Sequence, residues 1–207
     1  LRIPLGAEGR HPPVTAEAAF QKGWFEVQDE GSQVAALLTG AKAGEQVLDL
    51  CAGPGGKTAV LAAEALVNGA HLEANEISPA RAGLVRQALA GVPLEVVVSE
   101  QDGRVRAGES PETYDRILVD APCTGLGALR RRPEARWRKA PSDVPELTHL
   151  QRELLSAAVG ALKPGGVVAY VTCSPHLAET AGVVADVRRE WGAALEELSA
   201  RDVVTAI

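Results

Sequence analysis

An open, mostly parallel α/β sheet with helices on both faces is the fold class that this 207-residue sequence predicts, and three observations predict it. From residue 46 onward, apolar runs of four to eight residues alternate with helix-period patterns, as in parallel strands joined by crossover helices. The runs are continuously apolar, which strands buried on both faces require. Several of them finish on a glycine loop, an acid or a cysteine, at the strand ends where an open parallel sheet places its ligand crevice.

Taken in order, residues 1–40 hold Gly23-Trp24-Phe25 and a short helical pattern at Ser32 to Leu38, read as a lead-in segment packing on the core. Residues 41–207 form the main domain. Its first strand is Gln46 to Leu50, followed by a helix over Thr58 to Val67 and a turn at Asn68-Gly69. A strand at His71 to Asn75 precedes a helix over Pro79 to Ala90, and two further strands are expected at Leu94 to Ser99 and Asp115 to Val119. A helix over Glu146 to Leu162 then runs into Lys163-Pro164-Gly165-Gly166, a tight turn feeding the strand Val167 to Thr172. The last helix covers Leu177 to Trp191.

Composition removes several function classes. With 46% hydrophobic residues the chain can bury one large core, and a second full domain is not expected. No apolar stretch approaches the ~18 residues of a membrane span, and the sequence LRIPLGAEGR lacks the apolar core of a signal peptide. Three widely spaced cysteines make no disulfide framework and suit a reducing cytosol, so a cytoplasmic protein is expected. His11, His71, His149 and His176 are scattered without ligand spacing, so no metal site is expected.

The loop Cys51-Ala52-Gly53-Pro54-Gly55-Gly56-Lys57 closes the first strand and opens a helix, a place where backbone and helix N-terminus can approach a polar ligand. It misses the phosphate-binding P-loop because Cys51 stands where the first glycine belongs, and it misses the dinucleotide fingerprint because the third glycine is lacking. Glu76 ends the second strand about 20 residues later, where an acid can bind a ribose. Asp102, after the third strand, can face an adenine amino group. Together these describe a site for a nucleoside-bearing cofactor. Asp120 and Cys123 end the fourth strand and Cys173 ends the fifth, so both thiols are expected beside that cofactor, whereas Cys51 reads as a small buried hydrophobe.

These motifs, with Gly23-Trp24-Phe25-Glu26-Val27-Gln28-Asp29 ahead of them, make the chain resemble the RsmB/Nop2/Sun family of S-adenosylmethionine-dependent RNA cytosine-5 methyltransferases, its bacterial ribosomal RNA branch above all. The resemblance implies a Rossmann-like methyltransferase fold. It implies Cys173 as the nucleophile that adds to carbon 6 of cytosine, with Cys123 assisting release of the methylated RNA. Asp120 would bind the cytosine edge, and Lys57 would support the same pocket. The loop from Cys51 to Lys57 would hold the amino-acid part of S-adenosylmethionine, Glu76 the ribose and Asp102 the adenine; Arg81 matches a recurring family arginine but equally suits a helix surface. Family members carry a further RNA-binding region and a final antiparallel strand pair, so the chain, which has no Met, is expected to be a core from a longer protein lacking its C-terminal end.

A net charge of −6 is unusual for an RNA binder. However, Arg130, Arg131, Arg132, Arg136, Arg138 and Lys139, set against Glu134, concentrate +5 in ten residues beside Trp137 and leave −11 for the remainder. This strip suits phosphate contacts and stacking on an unpaired base. Ribosomal RNA is the expected partner and transfer RNA an alternative, with a monomer expected. Other readings remain open: a methyltransferase for another substrate with structural cysteines, a silent cofactor-binding assembly factor, or a nucleotide phosphohydrolase.

Overall fold

The computed structural model describes residues 14–25 and 27–205. Residues 1–13 of the expected lead-in, and Glu26 within the Gly23 to Asp29 stretch, lie outside the described residues. After a short helix α1 (Ala18–Gln21), α2 (Glu30–Leu37) begins where the Asp29 carboxylate accepts from the Gly31 N–H at 3.1 Å, satisfying one of the open donors of the first turn. The core then alternates β1 (Gln46–Asp49), α3 (Gly56–Asn68), β2 (His71–Asn75), α4 (Pro79–Leu89), β3 (Val97–Ser99), α5 (Gly103–Gly108) and β4 (Tyr114–Asp120). Next come α6 (Ala135–Arg138), α7 (Asp143–Ala161), β5 (Leu162–Val171), α8 (Ala181–Trp191) and α9 (Ala200–Thr205).

The five strands form one parallel sheet in the order β3-β2-β1-β4-β5. Strand order therefore reverses between β1 and β4, and a crevice opens at their carboxyl ends. Side chains alternate across the sheet as the pleat dictates. Val47 and Leu118 join Ala36, Leu61, Ala62, Ala65, Val85 and Leu89 on the face covered by α2, α3 and α4. Leu48, Leu50, Ile117 and Val119 join Ala107, Leu154, Ala158 and Ala161 beneath α5 and α7. Helix α3 buries Thr58, Leu61, Ala62 and Ala65, the i, i+3, i+4, i+7 stripe of a helix on a sheet. It stops at Gly69, which has a left-handed φ of 80°.

Several details depart from the sequence reading, among them the short helices α1 and α6, and α9, which follows the helix expected to be the last. The expected turn at Lys163-Pro164-Gly165-Gly166 lies inside β5, where these four residues oppose the single Asp115 in a bulge tied by Lys163 Nζ to Asp115 Oδ2 at 2.7 Å. The third strand is shorter than Leu94 to Ser99. Helix α5 was not expected: Asp102 caps it by accepting from the Arg104 N–H at 2.9 Å, so the six residues after the acid coil immediately. Among the described residues no helix is long and apolar enough to cross a membrane.

Candidate active site

The glycine loop leaves β1 at the sheet's reversal point. Gly55 must be glycine twice over: its φ is +92°, and a Cβ there would stand 2.8 Å from Val85 Cα, so helix α4 packs directly on the loop backbone. Immediately afterwards, Lys57 sits in the first turn of α3, where the helix dipole disfavours a cation. Asp120 at the end of β4 offsets this with an ion pair from Lys57 Nζ to Oδ2 at 2.6 Å. Lys57 is 14% and Asp120 34% exposed, and the pair spans the β1–β4 gap.

Beneath that pair lies Asp49, fully buried. Its Oδ2 accepts from Thr58 Oγ1 at 2.7 Å, while Oδ1 has no hydrogen-bond partner. Burial pushes its carboxyl up to about 7, opposed by the Thr58 hydroxyl and aided by the nearby Asp120 charge.

Glu76 is also buried, and its carboxylate ties three segments together. Oε2 accepts from the Gly53 N–H and Oε1 from the Ser78 N–H, each at 2.9 Å, and Arg81 Nη2 reaches Oε1 at 2.7 Å. Arg81 thus acts from the surface of α4 through Glu76. Asp102 is held mainly by the Arg104 guanidinium, which keeps its carboxyl below the usual range.

The two thiols at the strand ends meet. Cys123, after β4, and Cys173, after β5, place their sulfurs 3.3 Å apart. The hydrogen bond shared with Cys123 draws the Cys173 thiol down to about 6, helped by Lys57 and opposed by burial and Asp120. The same bond, with burial, pushes Cys123 up. Burial pushes Cys51 up as well; the residue is half-buried, packing against the Leu48–Leu154 cluster while also lining the cleft.

One cleft of about 1650 Å³ is lined by Cys51 to Pro54, Gly56, Lys57, Glu76, Arg81, Asp102, Asp120, Cys123 and Cys173, with Asp49 and Thr58 buried behind it. The basic strip is divided. Arg131, Arg132 and Lys139 line the cleft, whereas Arg130, Arg136, Trp137 and Arg138 are exposed outside its lining, Trp137 at 85%. Arg131 is engaged by Asp29 at 2.5 Å, which joins the lead-in to the strip across the cleft mouth. Among the described residues no group of three or more His, Cys, Asp or Glu could hold a metal ion.

Four residues around the thiols were not singled out from sequence: Thr124, Gln151, Ser174 and Glu179. Glu179 is fully buried and accepts from the other three. A hydroxyl residue directly after each of Cys123 and Cys173 was the available signal. Glu179 itself, one acid at the head of a helix, looks in sequence like any solvated residue.

Comparison with known proteins adds the following. The family model for 16S rRNA methyltransferase RsmB/F matches residues 36–205. A Mycobacterium tuberculosis (strain H37Rv) chain is 56% identical over 191 residues, covering 90% of this chain and 40% of its own length. The ribosomal RNA small subunit methyltransferase B of Cronobacter sakazakii is 41% identical over 166 residues, 78% of this chain and 38% of that one. Among solved structures, NSun6 from Pyrococcus horikoshii with SFG superposes with a TM-score of 0.78 at 30% identity, covering 87% of this chain and 46% of that one. The chain thus spans about 40% of the length of the curated relatives it matches.

Proposed function

The chain belongs to the RsmB/F family of 16S rRNA methyltransferases, and from that membership we propose that it transfers the methyl group of S-adenosylmethionine to carbon 5 of a cytosine in RNA, ribosomal RNA foremost, through a covalent cysteine–cytosine intermediate. The observation that carries the proposal is the Cys123–Cys173 pair with sulfurs 3.3 Å apart, in the same cleft as the Lys57–Asp120 ion pair and the glycine loop.

The residues fit the cofactor. A glycine loop at the reversal point can take the amino-acid part, Glu76 stands at the next strand end for ribose hydroxyls, and Asp102 at the third for adenine. SFG, an S-adenosylmethionine analogue, accompanies the NSun6 relative. When bound, S-adenosylmethionine supplies an already activated methyl group, so the chain's residues need to activate only the base.

Carbon 5 of cytosine is a weak nucleophile. Cys173, with its thiol drawn down, is a thiolate near neutral pH and bonds through Sγ to carbon 6, giving carbon 5 the enamine character it lacks. Asp120, held by Lys57, meets the cytosine edge by accepting from its exocyclic amino group, and the Lys57 ammonium offsets the negative charge that the ring acquires on addition. After methylation the carbon 5 proton passes to solvent in the open cleft, its electron pair re-forms the 5,6 double bond, the carbon 6–sulfur bond breaks and the Cys173 thiolate returns; Cys123, with its sulfur 3.3 Å away, assists this release. The target base must be unpaired or flipped to enter the cleft, and the basic strip supplies phosphate contacts beside it.

The test is nucleoside analysis of unmodified ribosomal RNA after incubation with S-adenosylmethionine. The wild-type chain yields 5-methylcytidine, and Cys173→Ala lowers the yield by on the order of 10³-fold or more. Undiminished product from Cys173→Ala would overturn the covalent route, and product only on transfer RNA would move the substrate.

A further inference from the structure

Glu179 carries a full set of hydrogen bonds with no cation. Its Oε1 accepts from the Thr124 N–H at 2.8 Å and Gln151 Nε2 at 3.1 Å; its Oε2 accepts from Thr124 Oγ1 at 2.6 Å and Ser174 Oγ at 2.5 Å. Among the described residues it forms no ion pair, and it is 0% exposed. Burying a carboxylate costs heavily unless every acceptor site is used. Here the burial, which alone would raise its pKa, is outweighed by the Ser174, Thr124 and Gln151 donors, and the carboxyl lies below its usual range.

The donors are not scattered. Thr124 directly follows Cys123, and Ser174 directly follows Cys173. Gln151 also donates to the Pro122 carbonyl at 2.7 Å, fixing the residue before Cys123. Two contacts outside the carboxylate repeat the pattern. The Gly127 N–H donates to the Cys173 carbonyl at 2.8 Å, at a point where a Cβ on Gly127 would stand 2.8 Å from that oxygen, and Tyr170 Oη donates to the Glu179 carbonyl at 2.9 Å.

We propose that Glu179 is a positioning residue for the thiol pair: by holding Thr124 and Ser174 on one buried carboxylate, it locks the β4 and β5 loops together and sets the distance between the Cys123 and Cys173 sulfurs. The proposal deepens the reading of Cys173 as nucleophile and rests on it for its catalytic meaning. Glu179→Ala removes the shared acceptor and leaves the Thr124 N–H, the Gln151 amide and both hydroxyls without it, whereas an amide at 179 could still accept from the N–H donors and donate to the two hydroxyls. Loops released from the clamp would separate the sulfurs, and Cys173 would lose the Cys123 hydrogen bond.

The groups facing Cys173 are Cys123 and Asp120 from the β4 end and Lys57 from α3; Glu179 itself is faced by Thr124, Ser174, Gln151 and Tyr170. The test follows the rate of Cys173 alkylation by iodoacetamide against pH, read by peptide mass, with S-adenosylmethionine affinity measured on the same samples. Wild type is expected to show a midpoint near 6. Glu179→Ala is expected to move it upward by at least about one pH unit while cofactor affinity changes less than about threefold. A merely structural residue would lower the melting temperature without moving the midpoint of the folded protein.

An unmoved midpoint in folded Glu179→Ala overturns the proposal. If that variant does not fold, Thr124→Val and Ser174→Ala each remove one hydroxyl donor; upward shifts support the clamp, and unmoved midpoints in both overturn it. The readout uses no RNA, so a wild type that methylates nothing would refute the proposed function while leaving the clamp to be judged on its own.

Discussion

At Cys173 the arrangement exchanges protons for reactivity. The hydrogen bond shared with Cys123 and the nearby Lys57 draw the thiol down to about 6, so the acid limb of kcat/KM should have its midpoint close to pH 6. A midpoint at 8 or above in a pH–rate profile would show that the sulfur pair does not act as described. Asp49 shows the opposite shift. Its folded carboxyl holds a proton up to about pH 7 against an ordinary value of 3.8, so between those values the folded state binds more protons than the unfolded one. Its contribution to stability is therefore full below 3.8 and is lost as pH rises to 7. Chemical denaturation of wild type and Asp49→Asn at pH 5 and pH 8 should show wild type losing more stability over that interval than the variant. Equal slopes would place the charged form of Asp49 in the native state throughout. Neither shift can be read in sequence, because that of Cys173 depends on what β4 brings against β5 and that of Asp49 on how deeply the sheet buries the end of β1.

Among the elements, α3 and its loop make the site. The glycine loop was legible because its glycines follow an apolar run and precede a helix, and the ends of β1, β2, β4 and β5 were legible for the same reason: continuous apolar runs have sharp ends. Helix α5 was not, since six residues that start on an Asp-Gly pair give too short a period to recognise, and only Asp102 capping in three dimensions reveals it. Gly55 offers a test at this scale. Alanine there must adopt a φ of +92° and push against Val85 Cα, which should cost about 1–3 kcal/mol of stability. Because α4 would shift off the loop, S-adenosylmethionine affinity should fall as well. Calorimetry of Gly55→Ala that shows a wild-type melting temperature and affinity would contradict this packing.

Across the whole molecule, charge and sheet order assign the faces. The chain carries −6 overall, with cations gathered between Arg130 and Lys139. Arg131, Arg132 and Lys139 line the cleft mouth while the rest of the strip extends outward. Replacing Arg130, Arg136 and Arg138 with Gln should weaken RNA binding and make its salt dependence shallower by about 0.7 in log–log slope for each phosphate that is no longer neutralised. An unchanged slope would remove the outer strip from the interface. The strip was legible as a run of charge, but its division between cleft and rim, and the engagement of Arg131 by Asp29, arise from contacts over a hundred residues apart in sequence. Glu179 was hidden for the same reason: it joins two loops that only the β1-β4-β5 order brings together.

The most direct measurement of the central claim uses Cys123→Ala and Cys173→Ala variants with tritiated S-adenosylmethionine and unmodified ribosomal RNA, resolved on a denaturing gel. Cys123→Ala should accumulate a covalent protein–RNA band because addition at Cys173 proceeds while release is impaired; Cys173→Ala should give neither band nor product. A covalent band or methylated RNA from Cys173→Ala would contradict the assignment of that sulfur as the nucleophile.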